Sequence, residues 1–198
     1  MTGADRILNA VVGAGMAFDG SSKYLSRNEA VHTSVPLTIS AWIRHDTAAL
    51  QNSAFVNLHE SSGSGYCSVL TREADEYAQL AYRKLSPAAL YTATDDRALS
   101  NGEWVHVHGV VEGEGTGKIY VNGDLEGSYS ETGFAPPGWD TTSIGRFRYS
   151  TSTYYAAGGA DEVRISSTNL SADWIWAEYQ NMASNETAFA TYERARPN

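Results

Sequence analysis

With a single cysteine in the whole chain, Cys67, no internal disulfide is possible. Cys67 lies in the strand-like run Tyr66-Cys67-Ser68-Val69-Leu70, where a buried small hydrophobe is the expected role. Basic residues are also scarce. Lys and Arg total 14 against 23 Asp and Glu, a formal net charge of −9. An acidic surface repels phosphate backbones and anionic membranes, and no Lys/Arg cluster interrupts it, so nucleic acid is not an expected partner. No apolar run approaches the ~20 residues of a membrane-spanning helix, so no membrane insertion is expected. The start, Met1-Thr2-Gly3-Ala4-Asp5-Arg6, lacks the basic stretch and apolar core of a secretory leader.

What is present points to strands. Hydrophobic residues make up 42% of the 198 and charged residues 19%, an ordinary balance for one globular domain. The 12 tyrosines and 18 glycines suit strands and tight turns. From Leu37 to Arg44 the chain alternates: Leu37, Ile39, Ala41 and Ile43 on one face, Thr38, Ser40, Trp42 and Arg44 on the other. Further strands are expected at Phe55–His59, Tyr66–Arg72, Ala78–Lys84, Leu90–Ala93, Trp104–Val111, Ser143–Arg148 and Asp161–Ile165. Asn122-Gly123, between Lys118–Val121 and Asp124–Gly127, predicts a hairpin with a type I′ turn. After Ser171, a good N-cap, Ile175, Tyr179 and Met182 share one face of a helix. Many short strands without helical crossovers predict an all-β antiparallel jelly-roll sandwich with a short C-terminal helix.

Five segments occur in a fixed order: Met16-Ala17-Phe18-Asp19-Gly20, Leu37–Ile43, Glu103-Trp104-Val105-His106-Val107, Lys118–Gly123 and Gly159-Ala160-Asp161-Glu162-Val163-Arg164-Ile165. Together they resemble the laminin G-like/pentraxin branch of the concanavalin A-like lectin/glucanase superfamily, from about Met16 to about Tyr179. The length predicts one domain over residues 1–198, with a core at about 16–182, and the polar end predicts a loosely attached tail after 185. The resemblance implies a β-sandwich that binds ligands, often sugars and often with calcium, on a fold that also hosts glycan-cleaving enzymes.

Candidate sites follow. The family's structural calcium takes an acid from the late Asp-Glu strand and backbone oxygens from the early turn, positions matched here by Asp161 and Asp19. The alternative is that both carboxylates hydrogen-bond backbone amides. Retaining glycan cleavage needs two carboxyls ~5 Å apart on one face. Glu73-Ala74-Asp75-Glu76 breaks that alternation, and Asp95-Asp96 and Asp161-Glu162 place neighbours on opposite faces, so no catalytic residues are assigned. His106 and His108 share a strand face, and such a pair can ligate zinc. His106 stands in the family's Trp-X-His-Val packing motif, so a satisfied pair is expected instead. Ligand-binding candidates are Tyr66, Tyr82, Arg83, Trp139, Arg146, Tyr149, Tyr154 and Tyr155, because sugar faces stack on aromatic rings while Arg holds hydroxyls. Trp139, in Pro136-Pro137-Gly138-Trp139-Asp140, is expected to be exposed. Trp42, Trp104, Trp174 and Trp176 are expected in the core.

The leading expectation is a non-catalytic, lectin-like module whose partner is a glycan or glycoprotein surface. The second is a structural or interaction module, such as a phage or virion surface decoration protein or an adhesin domain, binding other protein subunits of a larger assembly. A glycan hydrolase or lyase comes third. The expected location is extracellular or on a virion surface.

Overall fold

The computed structural model describes residues 5–7, 9–46, 52–62, 65–72, 76–85, 88–113, 115–130, 138–149 and 152–183. The expectations for Glu73, Asp75, Pro136, Pro137 and the tail after 185 lie outside these residues.

The alternating run at Leu37 becomes β4 (Leu37–His45), paired along its length with β9 (Trp104–Val111) at the centre of a seven-stranded sheet. On one side follow β15 (Ala157–Ser166), β2 (Gly15–Asp19) and β1 (Asp5–Ile7); on the other, β10 (Thr116–Val121) and β11 (Asp124–Ser130). A six-stranded sheet faces it, in the order β3 (Leu25–Arg27), β12 (Thr141–Ile144), β5 (Ser53–His59), β6 (Tyr66–Thr71), β7 (Tyr77–Leu85), β8 (Ala88–Ala98). The neighbouring strands run antiparallel. Between the sheets, Leu37, Ile39 and Ile43 meet Phe55, Leu58 and Leu80 in one buried cluster. Each such side chain stabilises the fold by about 1.5–3 kcal/mol relative to exposure.

The hairpin at Asn122-Gly123 forms as expected. Asn122 has φ 53° and Gly123 φ 90°, the two positive values a type I′ turn requires. Cys67 is fully buried in the core, where desolvation pushes its thiol well above the usual range.

Two departures from the sequence expectation matter for the site. First, the polar face of β4 is buried as well, because helix α1 (Ala172–Ala183) and the segment before it cover the sheet's outer surface. The Thr38 hydroxyl donates to the Thr168 carbonyl at 2.7 Å and accepts the Leu170 N–H at 3.0 Å. Ser171 caps the helix by accepting the Trp174 N–H at 3.3 Å, and Ile175 packs on Val110 and Tyr120. Trp174 and Trp176, expected in the core, are 63% and 48% exposed. They lie ~100° to either side of Ile175, so a single helix on a flat sheet turns both outward. Trp42 is buried as expected, and Trp104 is half-buried.

Second, the expected strand Ser143–Arg148 is broken. β12 ends at Gly145, whose φ is +81°, and β13 (Arg146–Tyr149) leaves the sheet to pair only with β14 (Ser152–Tyr155). A Cβ on Gly145 would sit 2.4 Å from the Phe18 ring, so both conformation and space demand glycine. Among the described residues, no helix is long and apolar enough to cross a membrane.

Candidate functional site

The β13–β14 hairpin lies on the outer surface of the six-stranded sheet. Its Phe147–Tyr154 and Arg148–Thr153 pairings put Phe147, Tyr149 and Tyr154 on one face and Arg146, Arg148, Thr153 and Tyr155 on the other. The first face is apolar. Phe147 is buried against Ala54, Tyr66, Leu70 and Ala81, with ring centroids 4.8 Å from Tyr66 and 5.0 Å from Tyr154. The Arg83 guanidinium stacks on Tyr149 at 4.7 Å. Burial in this cluster pushes the Tyr66 phenol up to about 12. The hairpin's base is held by Asn57, whose side-chain amide donates to the Arg146 carbonyl at 3.0 Å and whose carbonyl accepts the Ser68 hydroxyl.

The second face borders a cleft of about 310 Å³. Its walls are Arg146, Arg148 and Thr153 from the hairpin, His59 at the end of β5 and Ser61 beyond it, Thr141 from β12, and Asn28 after β3. Asp140 sets the Ser61 wall: its carboxylate accepts the Ser61 N–H at 2.7 Å and the Ser61 hydroxyl at 2.6 Å. These bonds, chiefly from the Ser61 hydroxyl, hold the Asp140 carboxyl below the usual range. Arg146 is held against Tyr24, its guanidinium carbon 3.7 Å from the ring centroid, and Tyr155 sits 6.1 Å from that ring.

His59 defines the cleft's polarity. It is only 3% exposed, and its Nδ1 lies 3.1 Å from the Glu60 carbonyl. A carbonyl only accepts, so Nδ1 carries the proton and Nε2 presents a lone pair. That Nε2 is buried without a partner, as is the Arg146 Nε–H. Burial lowers the His59 pKa, and the Arg146 charge opposes protonation further. The cleft is therefore lined by an imidazole, two guanidinium groups, an amide and several hydroxyls, with buried unpartnered nitrogens on His59 and Arg146 behind its surface.

Of the residues singled out in the sequence, Arg146 borders the cleft and Tyr155 stands beside it, on the same hairpin face. Tyr66, Arg83, Tyr149 and Tyr154 form the apolar support on the hairpin's other side. Tyr82 and Trp139 belong to neither: both are buried between the sheets, with rings edge to face at 6.0 Å. The exposure expected of Trp139 is thus corrected, since its apolar ring fills core space rather than a loop surface. His59, Ser61 and Asn28 carry no motif and were not anticipated. The one available signal was a histidine at a strand's end before the Ser/Gly run Ser61–Gly65.

The expected calcium residues do not come together. Asp19 pairs with Ala157, whereas Asp161 lies beyond the Met16–Ala160 pair at the opposite end of the β2–β15 ladder, about 13 Å away at ~3.3 Å per residue. Asp19 Oδ1 accepts the N–H groups of Ser21, Ser22 and Lys23 at 2.9, 2.7 and 3.0 Å, and Oδ2 accepts the Ser22 hydroxyl at 2.7 Å. Those donors, led by the Ser22 hydroxyl, hold its pKa far below the ordinary value. Asp161 accepts the N–H groups of Val12 and Glu162, both at 2.8 Å. Donor hydrogens already aim at both carboxylates, so the pair does not fit a shared calcium ion.

The histidines on β9 lie beneath α1. His106 stacks on Trp42 at 4.9 Å and near Tyr179 at 6.3 Å, and His108 Nε2 lies 3.1 Å from a Glu178 oxygen. Arg164 pairs with the other Glu178 oxygen. The expectation of a satisfied pair holds for His108 Nε2 only. Both His106 nitrogens and His108 Nδ1 are buried without partners. Burial, then the neighbouring His108, lowers the His106 pKa to about 3. His106, His108 and Glu178 bring one ligand atom each within 4.8 Å of the others, and none of them lines a cavity among the described residues.

No curated protein sequence matches the chain. Solved structures similar to it include the native heptameric SAP-like pentraxin of Limulus polyphemus, at 16% identity and TM-score 0.63, over 82% of this chain and 80% of the pentraxin. Domain 4 of AbnA, an extracellular GH43 arabinanase of Geobacillus stearothermophilus solved with arabinotriose, is similar at 17% identity and TM-score 0.70, over 87% and 79%. The botulinum neurotoxin serotype G binding domain is similar at 13% identity and TM-score 0.70; 93% of this chain matches, spanning 46% of that domain. At these identities the likeness concerns the fold. A family model matches residues 19–176, and the chain belongs to the laminin G-like family of the concanavalin A-like lectin/glucanases superfamily.

Proposed function

We propose that the protein is a non-catalytic glycan-binding module and that it takes its ligand in the cleft between the β13–β14 hairpin and His59. The observation that carries this reading is the cleft lining, which brings together His59 and Arg146, each holding a buried side-chain nitrogen without a hydrogen-bond partner, with Asn28, Ser61, Thr141 and Thr153. A sugar hydroxyl donates and accepts at once, so it suits a wall that mixes imidazole, guanidinium, hydroxyl and amide groups. Binding domains on the same fold support a binding role. Among the described residues, the cleft walls carry no carboxylate pair of the kind glycan cleavage uses.

A glycan array followed by titration calorimetry tests the reading. Arg146→Ala should weaken binding at least tenfold, since a lost bond to a charged group costs about 1.5–3 kcal/mol, and His59→Phe by a few-fold to tenfold, since a neutral bond contributes about 0.5–1.5 kcal/mol. Arg83→Ala, outside the cleft, should weaken it less. Binding that survives both cleft substitutions unchanged would place the ligand elsewhere.

One observation favours a second reading, that of an interaction module within a larger assembly. Trp174 and Trp176 are exposed on the same helix, and lone exposed tryptophans often anchor protein contacts. Light scattering showing oligomers that Trp174→Ser dissolves, in a protein blank on the array, would favour it over the lectin reading.

A further inference from the structure

The sandwich is closed along one side by its two edge strands, β8 from the six-stranded sheet and β11 from the seven-stranded one. They approach closely because Gly127 on β11 has no side chain; a Cβ there would lie 2.4 Å from the Thr94 carbonyl oxygen. At the same point β8 loses its regular register. Gln79 pairs with Thr94 but Tyr77 pairs with Ala98, so β8 carries two more residues than β7 over this interval. Asp95 and Asp96 lie in that bulge. Strict alternation would have sent them to opposite faces; instead a carboxylate oxygen of each lies within 4.8 Å of the other and of Glu126 on β11.

Three carboxylates gathered this closely repel one another, and one of them cannot turn to water. Asp95 is 1% exposed. Its Oδ1 accepts the Arg97 N–H at 3.1 Å, but its Oδ2 is buried without a hydrogen-bond partner. A buried, unpaired carboxylate oxygen is costly, and evolution seldom leaves one without a compensating group. Burial and the neighbouring acids hold both Asp95 and Glu126 above the usual carboxylate range, while the Arg97 charge offsets only part of the repulsion.

We propose that Asp95, Asp96 and Glu126 form a calcium site that joins the edge strands of the two sheets. The ligand set is all oxygen, which suits a hard cation and not zinc or copper. Asp96 is exposed and Glu126 half-buried, so water can complete the six to eight ligands calcium takes. Ligands from a bulge and an edge strand form an irregular shell, which calcium accepts and magnesium, with its strict octahedron, does not. The site is separate from Asp19 and Asp161, whose oxygens are already occupied by N–H donors and, at Asp19, by the Ser22 hydroxyl.

Thermal melts of the full chain stripped with EDTA, then given calcium chloride or magnesium chloride, test the proposal alongside calcium titration calorimetry. Calcium at a hundredfold excess over its Kd should raise Tm by several degrees and bind at one ion per chain, with magnesium doing markedly less. Asp95→Asn keeps the shape and removes a charge. It should melt higher than the wild type in EDTA and lose the calcium shift. Glu126→Gln, a second near-isosteric variant, should lose the shift too. Absence of calcium binding by the wild type up to millimolar concentration would overturn the proposal, as would an equal shift in both variants.

Discussion

The two outer faces of the sandwich are covered in different ways. Over the middle of the seven-stranded sheet, α1 is packed down: Trp42, His106 and Tyr179 stack, Ile175 is sealed against Val110, and Glu178 bridges His108 and Arg164. Over the six-stranded sheet, the β13–β14 hairpin covers only part, burying Phe147 on one side and leaving the Arg146 side open. Both faces hold an imidazole with an unpartnered nitrogen. His106 lines none of the cavities among the described residues, whereas His59 lines a cleft. An unfilled polar atom is therefore evidence for a ligand only where the packing leaves room for one.

The largest effect should come from breaking the closed face. Trp42→Ala removes the ring on which His106 and Tyr179 stack, and truncating a buried Trp costs about 3–5 kcal/mol. Urea denaturation should show that loss, while a cleft ligand should still bind below the unfolding midpoint. A loss under ~1 kcal/mol would mean that α1 is only loosely attached.

Acid should separate the faces next. The His106 pKa is lowered in the folded protein, to about 3 from the ordinary 6.5. Above pH ~6.5 both folded and unfolded states are neutral at this ring, and its contribution is complete. As the pH falls, the unfolded chain takes up a proton that the native site refuses, so stability declines from pH ~6.5 towards 3. Between pH 7 and 5 the loss from this one ring is about 2 kcal/mol. The groups facing it are His108 on β9, Glu178 on α1 and Arg164 on β15, of which Glu178 alone favours the proton. His106→Phe, which keeps the stack, should flatten the stability profile over that interval. His59 adds a slope of the same sign, so a residual decline should remain in this variant.

The smallest effect concerns the outward side of α1. Trp174→Ser and Trp176→Ser should each leave stability within about 0.5 kcal/mol, against the several lost at Trp42. Equilibrium melts of the three variants, side by side, make the contrast measurable.

The framework was legible in the sequence where local pattern and global packing agree. The period of two at Leu37–Ile43, the Asn122-Gly123 turn and the Ser171 cap each reappear in the structure. The tryptophans show where this stops. Pro and Gly around Trp139 describe the backbone of a loop, yet the ring turns inward to meet Tyr82. Apolar character at Trp174 and Trp176 does not create a second surface to cover them. The site was half legible. Arg146 and Tyr155 stood out as residue types, but nothing in the local sequence marks Gly145 as a corner that lifts them off the sheet towards His59. The grouping of Asp95 with Asp96 was hidden for a related reason, because a bulge is a relation between two strands and leaves no trace in one of them.

That corner has a consequence for how this molecule can change. The chain leaves the sheet at Gly145 and returns at Ala156, and these two residues are hydrogen-bonded to each other, Ala156 N–H to the Gly145 carbonyl at 2.9 Å. The Gly20 N–H holds the Ala156 carbonyl at 2.8 Å, and the Gly145 N–H holds the Phe55 carbonyl at 2.8 Å. The segment between is thus a cassette with a fixed clasp. Its length and side chains can vary while the clasp stays shut, since lengthening a closed loop costs little. Grafting a different hairpin between residues 145 and 156 exchanges one wall of the cleft and leaves both sheets as they are.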